Sequence, residues 1–264
     1  AGQGGSASYK IEKSIRLFSN DGSHLDRTPS TQGSRRKWTW SGWIKLTGDG
    51  DTYNPIWSAG NNPWTGIHFL DGTLRVVLDA GVGEIGAITL QSFRDAGAWY
   101  SIIVSVNTEV SSASDRIRIW VNGVLAPTTA GSDGYPSQNY NTIMNTTIAH
   151  RLGADGRASG GGVRHSNMLM ADVHFLDGIA ISDPDGVFGE FNADTGVWDP
   201  IEYTGGYDVT GGTTVAAASG AEPILNTSDN YGSTISSGVR ADSNSSSIVL
   251  ALPLNGSNNG TTIT

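Results

Sequence analysis

The sequence contains no cysteine among its 264 residues, which excludes disulfide bonds and thiolate metal sites. It also lacks any apolar run near the ~20 residues that a membrane-spanning helix needs, so we expect no membrane insertion. Basic residues are scarce, with 16 Lys and Arg against 25 Asp and Glu, and the formal net charge is −9. Because such a chain repels phosphate backbones, we expect no nucleic-acid partner.

Short alternating segments take the place of long helical runs. Ile117, Ile119 and Val121 fall on one parity and Trp120 on the other, as in a strand whose side chains point to alternate faces. Asn122-Gly123 follows, and this pair supplies the two positive φ angles of a type I′ turn. The pattern predicts a hairpin within a two-faced antiparallel sheet.

The tryptophan-rich segment Trp38–Ile44 alternates in the same way. Trp38, Trp40 and Ile44 are predicted on one face of a strand and Trp43 on the other. With 36 glycines for tight turns, such strands predict an all-β fold, a sandwich of two antiparallel sheets.

A strand is also predicted within Met168–Ile181. We expect four of its side chains to share one face: Leu169, Ala171, Val173 and Phe175. One string occurs twice, as His68–Gly72 and as His174–Gly178, and both copies end in Asp-Gly. We interpret the repeat as one local hairpin solution used twice.

The composition divides the chain into three parts. Residues 1–203 predict the sandwich domain. Residues 204–247 are dense in Gly, Ser, Thr, Ala and Asn and cannot bury enough surface to offset their own ordering, so they predict a linker or a subunit-contacting extension. Residues 248–264 predict the start of a further module or a strand that pairs with a partner.

No motif predicts catalysis. The Glu-x-Asp-x-(x)-Glu arrangement that places glycosidase carboxylates on one strand face does not occur, nor does a Gly-x-Ser-x-Gly nucleophile elbow. The five histidines show no zinc-binding spacing. The sequence therefore indicates no catalytic residue and favours a protein that is not an enzyme.

Binding residues are expected among aromatic rings next to polar groups, because sugar rings stack on π surfaces while their hydroxyls find polar partners. The candidates for a carbohydrate platform are Tyr53, Trp57, Trp64, Tyr135 and Tyr140.

Calcium is the one candidate cofactor, since oxygen ligands in sandwich loops bind it. Its candidate ligands are Asp21 and Asp172, with Asp49 and Asp51 as further choices.

Several strings occur in the order found in one family of proteins. They are Ser14–Leu17, Leu25–Ser30, Arg35–Lys45, Phe93–Tyr100, Trp120–Gly123, Val173–Gly178 and Asp194–Tyr203. Together they resemble concanavalin A-like (laminin G-like) domains of bacteriophage structural proteins, especially tail fibres, over roughly Tyr9–Tyr203. Calcium-binding relatives carry an acidic pair at the position matching Ala171-Asp172, and here the first member is alanine.

The resemblance implies a jelly-roll sandwich in a virion, with a role in host attachment or particle structure. The expected partners are other virion proteins, further copies of the chain in a trimer, and a host-surface glycan. The alternative is a capsid decoration or fibre-spacer module with purely structural contacts. A glycan-cleaving enzyme is the third and least favoured hypothesis.

Overall fold

The computed structural model describes residues 9–47, 53–61, 63–79, 83–156, 163–205 and, as backbone, 248–252. This part of the chain holds two single-turn 3-10 helices, Ser19–Asp21 and Ser114–Arg116, and no helix long and apolar enough to cross a bilayer. All other regular structure there is strand. The strands in chain order are β1 (Ile15–Leu17), β2 (Leu25–Arg27), β3 (Lys37–Leu46), β4 (Asn54–Gly60), β5 (Trp64–Leu70), β6 (Thr73–Asp79), β7 (Ile85–Thr89), β8 (Tyr100–Asn107), β9 (Ile117–Val121), β10 (Val124–Leu125), β11 (Thr128–Ala130), β12 (His150–Leu152), β13 (Ala154–Asp155), β14 (Arg164–His165), β15 (Met168–Asp177), β16 (Gly189–Phe191), β17 (Trp198–Pro200) and β18 (Ile248–Leu252).

Two seven-stranded antiparallel sheets form the body of the domain. Sheet 1 runs β1-β15-β3-β8-β9-β10, with β18 also paired to β15, and sheet 2 runs β11-β7-β6-β5-β4-β12-β2. The sheets pack face to face, because Trp57 of sheet 2 and Phe175 of sheet 1 have ring centroids 5.6 Å apart. The predicted two-sheet sandwich is confirmed.

The predicted faces of β3 are confirmed. Trp38, Trp40 and Ile44 are fully buried between the sheets, whereas Trp43 lies on the outer face of sheet 1. Burying one indole removes about 150–250 Å² from water, which is worth several kcal/mol at ~25 cal/mol per Å². The tryptophans of β3 therefore contribute strongly to the intersheet core.

The turn between β9 and β10 is also as predicted. Asn122 has φ 49° and Gly123 has φ 76°, the two left-handed residues of a type I′ turn. Ile117, Ile119 and Val121 belong to the intersheet core. The local sequence alone was sufficient here because the turn chemistry and the alternation agree.

Strand β15 differs from the prediction. Met168 and Met170 point into the intersheet core, and so do Val173 and Phe175, so the inward parity changes along the strand. A β-bulge between Ala171 and His174 shifts the register against β3 and inserts one residue, Asp172, at φ 50°. The prediction that Leu169 and Ala171 share a face with Val173 and Phe175 is therefore wrong.

The two copies of the repeated string also behave differently. The first copy ends in Asp71 and Gly72, at φ 52° and 71°, which turn β5 into β6. In the second copy, the Asp177 carboxylate accepts hydrogen bonds from the Ser34 amide at 2.6 Å and from Asn145 Nδ2 at 2.9 Å. The prediction of a second hairpin is wrong, because tertiary contacts occupy this aspartate and the chain leaves the sheet after it.

After β15, residues 179–203 fold back over the outer face of sheet 1, and we call this segment the cap. Its apolar side chains form a second buried cluster with the outer face of the sheet: Ile103, Trp120, Leu176, Ile179, Ile181, Val187, Phe188, Trp198 and Tyr203. The Thr39 hydroxyl donates to the Ile179 carbonyl at 2.8 Å and accepts from the Ile181 amide at 3.2 Å. The cap thus covers part of the outer face of sheet 1.

The first and last strands, β1 and β18, both pair with β15 of sheet 1. Within residues 9–18, only Ile15–Leu17 form a strand, β1. Residues 1–8 and 206–247 lie outside the described residues, and with them nearly all of the predicted linker. Strand β18 pairs antiparallel with β15 over Val173–Leu176, on the edge that β1 shares farther along.

Candidate functional site

Two of the five predicted platform rings belong to the core. Trp57 lies on β4 with 4% of its surface exposed, and Trp64 lies on β5 with 1% exposed. Trp57 donates its Nε1–H toward the Met144 sulfur at 3.0 Å and packs between the sheets. The prediction of exposed rings is wrong for both, because each falls within a strand and not in a loop.

Tyr53 is half-buried and engaged by neighbouring side chains. Its hydroxyl donates to the buried Asp155 carboxylate, and the Arg164 guanidinium sits 4.6 Å from its ring centroid. The His68 ring lies 4.7 Å away on another side. Tyr53 therefore ties β4 and β5 to the β13–β14 hairpin.

Tyr135 and Tyr140 lie on the long loop between β11 and β12. Both are half-buried and pack against the intersheet core. The loop is held by hydrogen bonds from the Thr108 hydroxyl to the Tyr140 carbonyl at 2.8 Å and from Arg116 Nη1 to the Pro136 carbonyl at 2.6 Å. A sugar-binding role for these two rings stays a prediction.

Of the acidic residues predicted for calcium, Asp21 and Asp172 fall within the part of the chain that the structure describes, and they lie apart. Within the described ranges, no three His, Asp or Glu side chains converge as a metal site would require. Asp21 is exposed in the first 3-10 turn, and Asp172 sits at the bulge of β15. Asp49 and Asp51 fall outside the described residues.

A groove opens instead on the outer face of sheet 1. Its volume is about 490 Å³, within the range of roughly 300–1,000 Å³ typical of small-molecule sites. Trp43, Trp99 and Ala171 line it together with residues 9–14, which run along one side, and with Asp199 and Pro200 of the cap. The groove therefore lies where the N-terminal segment, sheet 1 and the cap meet.

Strand register explains why there is space at this point. Trp43 of β3 lies between Ala171 of β15 and Ser101 of β8 as its direct cross-strand neighbours. Both neighbours are small, so the Trp43 indole is only half-buried. Trp99 precedes β8 on the same parity as Ser101, which brings a second indole to the outer face.

Hydrogen bonds at the bulge fix the side of the groove. The Tyr9 hydroxyl donates to Asp172 Oδ1 at 3.2 Å, and His174 Nε2 lies 3.0 Å from the same oxygen. Burial, assisted by the Asp172 charge, raises the pKa of Tyr9, so its hydroxyl stays protonated as a donor. The His174 ring in turn packs against Tyr203 of the cap, 5.1 Å between centroids. The bulge residue thus ties the N-terminal segment to sheet 1 and, through His174, to the cap.

The groove combines indole faces with charges of both signs. Lys10, Glu12 and Lys13 are exposed along its N-terminal side, and Asp199 is half-buried on the cap side, where Asn192 Nδ2 donates to it at 2.9 Å. Aromatic faces rimmed by polar groups suit a ring-shaped polyhydroxylated ligand.

Sequence reasoning placed Trp43 correctly on the outer face but did not connect it with a site. A single outward-facing tryptophan is common on protein surfaces, so no signal in the sequence marked Trp43 as part of a site. Trp99 was missed because it comes near Trp43 only through the pairing of β3 with β8, and Asp199 because it arrives only when the cap folds back.

Comparison with known families agrees with this architecture. Residues 19–183, more than half of the chain, match the family described as the concanavalin A-like lectin/glucanases superfamily. The chain belongs to this superfamily. Its jelly-roll sandwich is the shared fold, and the match ends within the cap, so the remainder of the cap lies outside it.

Solved structures resemble this superfamily member in fold alone. A heptameric pentraxin from Limulus polyphemus is 17% identical, with TM-score 0.44, over 60% of this chain and 71% of the pentraxin. Domains LG4-5 of the mouse laminin α1 chain are 15% identical, with TM-score 0.46, over 66% and 44%. The enzymatically active domain of tailspike protein 2 from bacteriophage CBA120 is 15% identical, with TM-score 0.39, over 62% and 25%. The match thus spans less than half of the laminin and tailspike chains. None of the curated proteins has a matching sequence.

Proposed function

We propose that this concanavalin A-like domain attaches a bacteriophage virion to host-surface glycans, as part of a tail fibre or another receptor-binding component. The observation that carries the binding half is the groove with Trp43 and Trp99 beside charged groups. The phage half rests on the sequence strings that resemble virion proteins over Tyr9–Tyr203. On this proposal the domain lies on the surface of the particle.

Binding without turnover is the second element of the proposal. Two carboxylates line the groove, Glu12 and Asp199. A glycosidase needs one acid kept protonated in an enclosed apolar setting beside an ionised partner. Glu12 is exposed and Asp199 is only half-buried, so neither has such an enclosure. This supports a lectin-like role.

Binding is tested with a glycan array probed by the full chain, followed by calorimetry on each hit. Trp99→Ala should weaken binding about tenfold or more, equivalent to at least ~1.4 kcal/mol, while the circular dichroism spectrum stays unchanged. Tyr135→Ala is the comparison variant, because that ring lies outside the groove lining and tests the loop as the alternative site. An array without hits contradicts glycan binding, and a loss with Tyr135→Ala alone places the site on the loop.

Turnover is tested on the same hits by measuring new reducing ends. We expect none above the buffer background. Hydrolysis that is lost in Asp199→Asn would contradict the non-enzymatic role.

A structural spacer or capsid decoration is the second candidate. Three apolar side chains stand exposed in or beside strands: Leu90, which follows β7, and Val124 and Leu125 of β10, at 64%, 60% and 54%. Exposed apolar side chains at a strand edge favour contact with another protein. Retained particle incorporation with Trp99→Ala, and loss of incorporation with Val124→Lys, would favour this role over attachment.

A further inference from the structure

We propose that the edge of β15 at Val173–Leu176 accepts the Ile248–Leu252 strand of a second copy of this chain, so that copies are joined by strand exchange. In the single chain, β18 of the same molecule occupies this edge. The inference concerns assembly: it rests on the proposed fibre and does not depend on glycan binding by the groove.

The acceptor is a defined length of sheet edge. β1 pairs with β15 only from Met168 to Met170, and the chain before β1 leaves the edge to run along the groove. The bulge at Asp172 separates this first part of the edge from Val173–Leu176. Without an added strand, the backbone amides and carbonyls along that second part would lack sheet partners, which is costly beside a buried core.

The donor has the composition of a strand that must be covered. Ile248–Leu252 has five apolar residues and no charge, and Pro253 follows it. Such a segment is a hazard for uncontrolled pairing when it is left exposed. Its antiparallel register sets Leu252 opposite Val173, Ala251 opposite His174 and Leu250 opposite Phe175.

The connection does not restrict the donor to its own domain. Residues 206–247 separate the described end of the sandwich from β18, a distance in sequence of about 40 residues. A chain of that length can span up to roughly 140 Å, at about 3.3–3.6 Å per residue. A domain of about 200 residues has a radius of gyration near 16 Å, so an adjacent copy is well within reach.

The energetic difference between the two arrangements is small. Strand exchange uses the same backbone hydrogen bonds as pairing within one chain, which makes it a low-cost route to oligomers. The tether gives the strand of the same chain an effective concentration of only about millimolar or less, because the connection is long. Copies held side by side in a fibre present their strands at a comparable concentration, and in a closed ring each edge and each strand is satisfied. The proximity of the copies then decides which strand occupies each edge.

The absence of cysteine from the sequence permits a decisive test. Val173→Cys and Leu252→Cys are made as separate single variants of the full chain and co-expressed with different affinity tags. Directly opposed residues on neighbouring strands lie within disulfide distance. Exchange predicts a mixed disulfide joining residue 173 of one tagged chain to residue 252 of the other, detected by tandem purification and peptide mapping.

Controls define the outcomes that overturn the proposal. Ala251→Cys replaces Leu252→Cys in a pair shifted by one residue, which puts the two thiols on opposite faces and should reduce the mixed disulfide at least tenfold. The double variant Val173→Cys/Leu252→Cys is run alone. If it forms only an intrachain disulfide, the strand stays with its own domain and exchange is excluded. If neither experiment gives the 173–252 disulfide while circular dichroism shows intact β structure, the pairing itself is excluded.

Discussion

Ala171 lies directly opposite Trp43 across the β15–β3 ladder, and its small side chain leaves one side of the indole open to the groove. The groove depends on this pair because the strands fix the distance between the two residues. A single larger side chain at position 171 would occupy the space that a ligand needs.

We therefore expect Ala171→Val to weaken the binding of any glycan found for the groove by tenfold or more. Two added methyl groups should crowd Trp43 and cost about 1–3 kcal/mol of unfolding free energy, without loss of the fold. Calorimetry and urea denaturation measure the two effects. Ala113→Val adds the same atoms at an exposed loop position and should change neither. Unchanged affinity in Ala171→Val would show that the ligand binds elsewhere.

Asp172 provides the second prediction. It holds a left-handed backbone conformation and accepts the Tyr9 hydroxyl, so it combines local strain with a contact to the N-terminal segment. Asp172→Asn should fold normally, because asparagine adopts this conformation and keeps an acceptor oxygen. Asp172→Ala should lose about 1–3 kcal/mol, from the backbone conformation and the lost hydrogen bonds.

Limited proteolysis of the Asp172 variants supplies an independent measurement. Asp172→Ala should expose Lys10 and Lys13 to faster trypsin cleavage than Asp172→Asn does, because the Tyr9 contact is removed. Equal cleavage rates in the two variants would mean that Tyr9 is held by other contacts.

His150 gives the domain a predictable response to acid. Its Nε2 accepts the Asn145 amide at 2.9 Å, its Nδ1–H donates to the Ile148 carbonyl at 2.8 Å, and burial lowers its pKa below the usual 6.5. The folded domain therefore holds the His150 ring in its neutral form. The contribution of neutral His150 to the free energy of unfolding is complete above pH 6.5. It is lost as the pH falls from 6.5 toward the lowered pKa, because the unfolded chain binds the proton first.

Urea denaturation between pH 7.5 and 5 measures this dependence. His150→Gln should be less stable than the native chain at pH 7.5 and should show a flatter decline on acidification. Parallel declines in the two proteins would assign the acid sensitivity to other groups. A histidine NMR titration of the folded chain should show His150 among the resonances that shift below pH 6.5.

Substitutions at Trp57 and Trp99 should differ in their effect on the free energy of unfolding, because one ring lies in the core and the other at the groove. Trp57→Ala removes a buried indole between the sheets and should cost about 3–5 kcal/mol of unfolding free energy. Trp99→Ala removes a half-buried ring at the groove and should cost much less. Chemical denaturation compares them directly. A loss of equal size in both would mean that Trp99 is a core residue and not part of a ligand site.

The local sequence was sufficient to predict an element where side-chain alternation and turn residues indicated the same structure. The alternation of Ile117–Val121 with the following Asn122-Gly123, and the opposed faces of Trp38 and Trp43, were predicted as they are found. It was insufficient where one inserted residue moved the following side chains to the other face of the sheet. The bulge at Asp172 reverses the inward parity of β15, and a period of two cannot reveal such an insertion.

The sequence by itself determined the regularly alternating strands, the Asn122-Gly123 turn and the two-sheet class, because these depend on side-chain alternation and on residues that favour positive φ. The tertiary structure alone decided that Trp57 and Trp64 are core residues and that Trp43, Trp99 and Asp199 share a groove. The reason is physical: burial and convergence depend on which distant segment covers a face. Here the cap and the N-terminal segment return to sheet 1 from opposite ends of the sandwich sequence.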